Sequence, residues 1–436
     1  MSTLDRYFGI SAADSDVRRE FTGGLTTFAT MSYIIFVQPA ILSEAGMDRG
    51  SVLLATCLAA ALGTLLMGLV ARFPFALAPG MGENFLFAFT VCGAVEAGGM
   101  GFDWPAGLTI VLIAGALFLV LSLFRVRERI IGVFPDCLKN TIGPAIGIFI
   151  AFVGLQWGGV VVDAPGSLVA LADLRTPEPL LTVFGVILTA ALLAWNIRWG
   201  ILAGIFATAG LGWVTGVYGF KAAGAGWSAA TFFHLDFAGV FAQWDRALVA
   251  IGLFFFLDLF DTVGTLVGVG KLGGYMTEDG RMPRAGRAFF CDAFASCAGA
   301  LFGTSTVTTY VESASGVAAG ARTGLASVVT AVCFVLAIPV AAYLPLNQGV
   351  VAPALVVVGF LMMAPLRLVD WQDVTESFPA FATVTMMTFG FGITEGIAMG
   401  CISFVVIKVL TARWHEVHPV MFVLAAALIA RYMFLL

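Results

Sequence analysis

Two aspartates stand midway along an otherwise apolar run, Phe254-Phe255-Phe256-Leu257-Asp258-Leu259-Phe260-Asp261-Thr262-Val263-Gly264-Thr265. A charge at the centre of a membrane helix costs roughly 2.5–3.5 kcal/mol on insertion scales, so such residues usually face a cavity and act there. Spacing of i, i+3 puts Asp258 and Asp261 on neighbouring positions of one helix face. Burial and mutual repulsion favour keeping one of them neutral, which suits a pair that carries a proton along with a solute. The plainer alternative is helix–helix hydrogen bonding. It fits Asp258 better than Asp261, which has Thr262 and Gly264 beside it.

Two more polar groups follow places where a helix cannot continue. In Phe73-Pro74-Phe75-Ala76-Leu77-Ala78-Pro79-Gly80-Met81-Gly82, two prolines and two glycines break the helix, and Glu83-Asn84-Phe85 follow. In Gly303-Thr304-Ser305-Thr306-Val307-Thr308-Thr309-Tyr310-Val311, the β-branched run favours an extended strand, and Glu312 follows. Extended backbone at membrane depth is tolerated where it is buried in protein or lines a cavity. At each break a restarting helix would aim its free N–H groups and partial positive charge at the midplane. Glu312 is therefore a ligand-binding candidate, with helix capping as the alternative. Asn84 is another, with a capping or interhelical amide as the alternative. Phe85 is placed to stack on a planar ligand. Glu83, Asp292 and Glu395 are weaker candidates.

The elements that must hold these residues are membrane helices. The 436 residues are 60% hydrophobic and 11% charged, with a mean hydropathy of +0.99. A soluble domain carries about a quarter of its residues as charges. Runs such as 51–70, 108–124, 180–195 and 325–344 match the roughly 20 residues that cross a bilayer core. Residues 1–20 contain no apolar stretch of a signal peptide, so the first helix should anchor itself. Seven cysteines without metal or disulfide spacing read as small buried hydrophobes, and no metal or cofactor is implied.

Helices are expected near 21–45, 50–71, 81–96, 105–124, 138–156, 178–195 and 199–217. A second set is expected near 246–269, 287–302, 311–319, 321–343, 349–365, 379–393 and 396–411. With the N-terminus inside, seventeen Lys and Arg fall in inward loops, against Arg49, Arg175, Lys221 and Arg246 outside. That asymmetry supports fourteen crossings. It would invert across the middle of the chain if the two breaks were ordinary loops. Each break falls in the third span of its set of seven, and paired breaks of this kind point to a transporter's binding site. The expectation is an all-α integral membrane protein of about fourteen transmembrane segments in two inverted seven-span repeats, with short strands in spans 3 and 10. The stretch 417–435 is left open between a fifteenth span and a surface helix.

Four stretches in this order resemble the AzgA-like purine permeases of the nucleobase–cation symporter (nucleobase/ascorbate transporter) superfamily. They are Gly24-Leu25-Thr26-Thr27-Phe28, Ala76-Leu77-Ala78-Pro79-Gly80-Met81-Gly82, Asp258 to Thr265, and Gly303-Thr304-Ser305-Thr306 through Glu312-Ser313. The likeness runs from about Gly24 to Lys408. It implies a division into core and gate: a cytoplasmic tail 1–20, a first repeat 21–245 (core 21–124, gate 138–217), a second repeat 246–411 (core 246–343, gate 349–411) and an apolar segment 412–436. It also implies import of adenine, guanine or hypoxanthine with protons, Na⁺ being left open, across the inner (plasma) membrane. Substrate contacts carried over from the family fall on Asn84, Asp261 and Glu312, with Asp258 the neighbouring acid. Glu83 stands where the family usually has an apolar residue, which bears on the choice of substrate.

A purine edge alternates donors and acceptors, which carboxylates and amides match, and a phenylalanine face can stack on the ring. The alternative on the same scaffold is another nucleobase (uracil, xanthine) or a related small heterocycle. Three acids near the site disfavour a permanently anionic solute. An intramembrane aspartyl protease, the enzyme rival, would need a Gly-x-Gly-Asp sequence that the chain lacks, and its two aspartates would lie on different helices. No nucleic-acid partner is implied, and a homodimer is left open.

Overall fold

The computed structural model describes residues 3–95, 98–123, 134–164, 167–218, 228–277, 282–341, 343–344 and 347–434. Arg125, Arg127, Arg129, Lys221 and Arg281, which enter the charge balance above, lie outside them. Nine helices among the described residues are long and apolar enough to cross a membrane. A short helix α1 (Thr3–Phe8) precedes the first of these.

The first set of seven segments opens with α2 (Val17–Met31) and α3 (Ile34–Leu42), one span that tightens at Ser32 and Tyr33. Helix α4 (Arg49–Leu66) follows and runs on through a π-helical turn, Met67–Ala71. Asp16 and Asp48 start these helices by accepting the backbone N–H of Arg19 and Ser51, which satisfies donors that have no partner inside the helix. The third segment is broken: β1 (Leu77–Pro79), α5 (Met81–Phe85) and a π-helical stretch, Leu86–Val91. Then come α6 (Trp104–Leu123), α7 (Asp136–Trp157), α8 (Pro177–Ala194) and α9 (Gly200–Val214). A hairpin of β2 (Val161–Ala164) and β3 (Leu168–Leu171) lies between α7 and α8.

The second set repeats this order with α10 (Trp244–Leu272) and α11 (Ala285–Phe302). Its third segment is again broken, into β4 (Val307–Thr309) and α12 (Ser313–Ala318). Helices α13 (Gly324–Ala341), α14 (Gln348–Leu361), α15 (Val374–Phe389) and α16 (Ile393–Leu410) complete it. The remaining apolar stretch is helix α17 (Pro419–Phe434), which packs along α16. A hydrogen bond from Tyr432 to Glu395 joins its end to the start of α16, so the two run antiparallel. All seven cysteines are free thiols.

The helices associate in two groups. Helices α2, α4, α6, α10, α11 and α13 pack on one another and on the broken segments, while α7, α8, α9, α14, α15 and α16 pack among themselves. A buried carboxylate ties the first group together: Glu20 on α2 accepts the backbone N–H of Arg322 at 2.8 Å and of Thr323 at 3.1 Å, just ahead of α13.

Candidate functional site

The two broken segments meet as an antiparallel strand pair deep in the protein. Leu77 faces Thr309, Ala78 faces Thr308 and Pro79 faces Val307. The pairing answers what becomes of extended backbone with no water to bond it. The Tyr310 N–H donates to Ala76 O (2.9 Å) and the Gly80 N–H to Thr306 O (3.0 Å). Side chains close the remaining positions. Ser313 Oγ accepts from the Ala76 N–H at 2.9 Å, Thr64 Oγ1 from the Leu77 N–H at 2.9 Å and Ser296 Oγ from the Val307 N–H at 3.2 Å. The Tyr310 hydroxyl donates to Pro79 O (2.5 Å), clamping the second broken span onto the first. β-Branching at Val307, Thr308 and Thr309 favours the extended backbone of β4, and hydroxyls from neighbouring segments, Thr64, Ser296 and Ser313, bond backbone that a helix would have satisfied itself.

Around the crossing, the acids do not share one environment. Asp258 is buried, with Ser296 Oγ 3.4 Å from its Oδ2. Asp261, three residues on, is exposed, and its charge lies within reach of both Glu312 and Glu83. Gly264 and Gly268 follow it along α10, and a methyl group built on either would meet nothing within 4 Å. An open stripe therefore runs from Asp261 toward the end of the helix. Thr262 points the other way: its hydroxyl donates to Asp292 Oδ2 at 2.8 Å and lies 2.9 Å from Thr308 Oγ1. Asp292 thereby joins the strand crossing.

Glu312 immediately precedes α12, yet its side chain makes no capping bond. It accepts a hydrogen bond from the Tyr33 hydroxyl at 2.7 Å instead, and it is half-buried. Asn84 is fully buried; its Oδ1 accepts from the Ser305 hydroxyl, and its Nδ2 has no partner among the described residues. Gln38 donates from Nε2 to Thr304 Oγ1 (3.0 Å) and Ser305 Oγ (3.1 Å), extending this chain to α3. Glu83 is 2% exposed, and its Oε1 likewise has no partner. The carboxylate folds back over Gly80, where an added Cβ would collide with it and with the Thr308 methyl. Gly80 is thus the residue that makes room for Glu83. Phe85 is fully buried, stacked on Phe89 (5.4 Å, 20°) and edge-on to Phe149 (5.9 Å). Glu395 lies apart, at the start of α16, in its bond with Tyr432.

Sequence reasoning missed Tyr33 and Gln38. Both sit in the apolar run from Ile34 to Leu42 or at its edge, and the available signal was a tyrosine and an amide buried in a span with no other reason to hold them.

Residues 18–399 match the model of the Permease family, Xan_ur_permease. The chain belongs to the nucleobase/ascorbate transporter family. It is 43% identical over 442 residues to a putative permease of Methanocaldococcus jannaschii, covering 100% of this chain and 99% of that one. It is 41% identical to an adenine permease of Escherichia coli (99% and 96% covered). It is also 41% identical to a guanine/hypoxanthine permease of Bacillus subtilis (99% and 100% covered). This family member also resembles solved transporters. The transmembrane domain of a cyanobacterial bicarbonate transporter, BicA, superposes with a TM-score of 0.67 at 15% identity, covering 88% of this chain and 97% of that one. Murine Slc26a9 gives 0.64 at 11% identity, covering 94% and 72%. The fold is therefore the inverted-repeat transporter fold, and the protein is a membrane permease rather than an enzyme.

Proposed function

We propose that this permease imports purine nucleobases (adenine, guanine or hypoxanthine) together with protons, by an elevator movement of a core past a gate. The observation that carries the reading is the convergence of Asp261, Glu312 and Asn84 on one strand crossing, with Asp261 opening onto unfilled space. The named relatives support the solute class, because they are adenine and guanine/hypoxanthine permeases. On this reading Glu312 and Asp261 accept hydrogen bonds from the purine N–H groups, and the Asn84 Nδ2 donates to a ring nitrogen or O6. Tyr33 holds the Glu312 carboxylate in position.

The helix grouping supports a core of 21–124 with 246–343 and a gate of 138–217 with 349–411. The N-terminus is placed in the cytoplasm because the inward loops then hold the basic residues. Uptake of one radiolabelled purine, challenged with each other nucleobase, tests the solute. Failure of every purine to compete would refute it. The same assay with a collapsed pH gradient and no Na⁺ tests the coupling: undiminished accumulation would remove protons from the mechanism. Cysteine pairs placed across the core–gate boundary, after replacing the native cysteines, test the movement. Cross-links that never slow uptake would rule it out.

A further inference from the structure

Two clusters of basic residues at helix ends differ in how they are satisfied. Around the end of α16 they are paired with acids: Lys408 lies 2.7 Å from both Glu376 and Glu416, and Arg413 lies 2.6 Å from Asp373. At the end of α4 and the start of α11 they are not. Arg72 lies over the Tyr7 ring at 4.6 Å and Arg284 over the Phe73 ring at 4.8 Å, with Arg287 one turn into α11. No acid bonds any of the three among the described residues. Phe73 belongs to an aromatic base with Phe75 (5.1 Å) and Tyr275 (5.4 Å). A guanidinium held over a ring face still has N–H groups that can take a planar or tetrahedral oxyanion. The backbone is strained at both stacked positions, with φ of +59° at Arg72 and +67° at Arg284. Burial, then the charges of Arg287 and Arg72, pushes the Arg284 guanidinium below its ordinary value. Arg284 thus lies close enough to both Arg72 and Arg287 for their charges to repel its own. Basic loops chosen only to orient a membrane protein need none of this convergence.

We propose that Arg72, Arg284 and Arg287 form a binding site for a phosphate group, supplied by the headgroup of an anionic membrane lipid. Lipid is favoured over a soluble phosphate because the cluster sits where two membrane helices end, at the level of a bilayer's headgroups. The bound phosphate cancels the repulsion among the arginines and holds the ends of α4 and α11 together. Both helices carry residues that fix the strand crossing, Thr64 and Ser296.

The test uses the full-length protein in nanodiscs of phosphatidylcholine, with and without phosphatidylglycerol, and reads Tm by tryptophan fluorescence. Phosphatidylglycerol is expected to raise the Tm of the wild type. Arg287→Gln should lose about half of that rise and Arg284→Gln/Arg287→Gln nearly all of it, by loss of linked binding. Arg18→Gln, on an exposed basic residue outside the cluster, should keep it. Arg287 is exposed, so its single variant remains readable if the double variant does not fold. An equal rise in wild type and Arg287→Gln overturns the site, and an equal loss in Arg18→Gln reduces it to diffuse charge and overturns it as well. Inorganic phosphate added to detergent-solubilised protein separates the sources. A Tm rise there that Arg287→Gln abolishes would assign the site to a soluble phosphate and overturn the lipid.

Discussion

In the first broken span the polar side chains are sealed in: Asn84 is fully buried and Glu83 is 2% exposed. In the second, Glu312 is half-exposed and held from the side by the Tyr33 hydroxyl, 2.7 Å away. The two spans treat their backbones alike, each bonding the other as a strand. They treat their side chains in opposite ways. A sealed amide or carboxylate must find its partners within the protein, so it fixes geometry and is costly to leave unpaired. An open carboxylate can exchange water for a solute. On the proposed function, the second span therefore offers the solute the more direct contact, and the first sets the position and character of the proposed site.

The comparison is broken or sharpened first at Glu312. Glu312→Gln keeps the shape but turns one acceptor oxygen into a donor amide. A charge-assisted hydrogen bond is worth roughly 1.5–3 kcal/mol, so purine affinity should fall about 10- to 100-fold with Tm nearly unchanged. A lowered Tm with normal affinity would mean that Glu312 stabilises α12 instead, and the open side of the comparison would collapse. The sealed side is tested by Asn84→Leu, which leaves the Ser305 hydroxyl without its acceptor. Here both readouts should move together: affinity by about tenfold and Tm by roughly 2–6 °C. Loss of affinity alone would put Asn84 on the open side.

Glu83→Leu should raise Tm by a few degrees, because it removes a buried carboxylate oxygen that has no partner. The ranking of competing nucleobases should shift at the same time. A drop in Tm would mean that the carboxylate is paired within the fold. The smallest effect is expected outside both spans. Hydrogen bonds from Arg413, then from Thr375, hold the Asp373 carboxyl at about 2. Arg413, then Lys408, holds Glu416 at about 2. Both values are depressed in the fold, so the stabilisation is complete above the ordinary carboxylate range and drains away as pH falls from about 4 toward 2. A pH series of Tm should turn down in that window for the wild type and less steeply for Arg413→Gln. Identical curves would show that this network adds nothing measurable.

Much of this was legible in the sequence. Apolar runs of spanning length announce helices, and two Pro/Gly- or Thr-rich interruptions at matching places announce the crossing. Asp261, Asn84 and Glu312 stood out because polar groups in apolar spans need a reason. What stayed hidden depends on contacts between distant segments. Helical spacing joins Asp258 to Asp261, but only packing turns one toward Ser296 and leaves the other open. Tyr33 passes for an ordinary aromatic until Glu312, 279 residues later, is placed against it. The last apolar stretch gave no sign of its neighbour, and Tyr432 with Glu395 supplies it.

The strand crossing also has a history. Its two halves lie 231 residues apart in the chain, and at translation speeds of about 5–20 residues per second the first waits roughly 10–45 s for the second. During that interval Ala76 and Gly80 have no strand to bond, within a segment already surrounded by apolar helices. The half-made protein must shelter this unsatisfied backbone with water, lipid headgroups or the insertion machinery. The strand crossing thus cannot exist until the second broken span is made, and a chain truncated before Val307 would be expected to insert its early helices and then be recognised as unfinished.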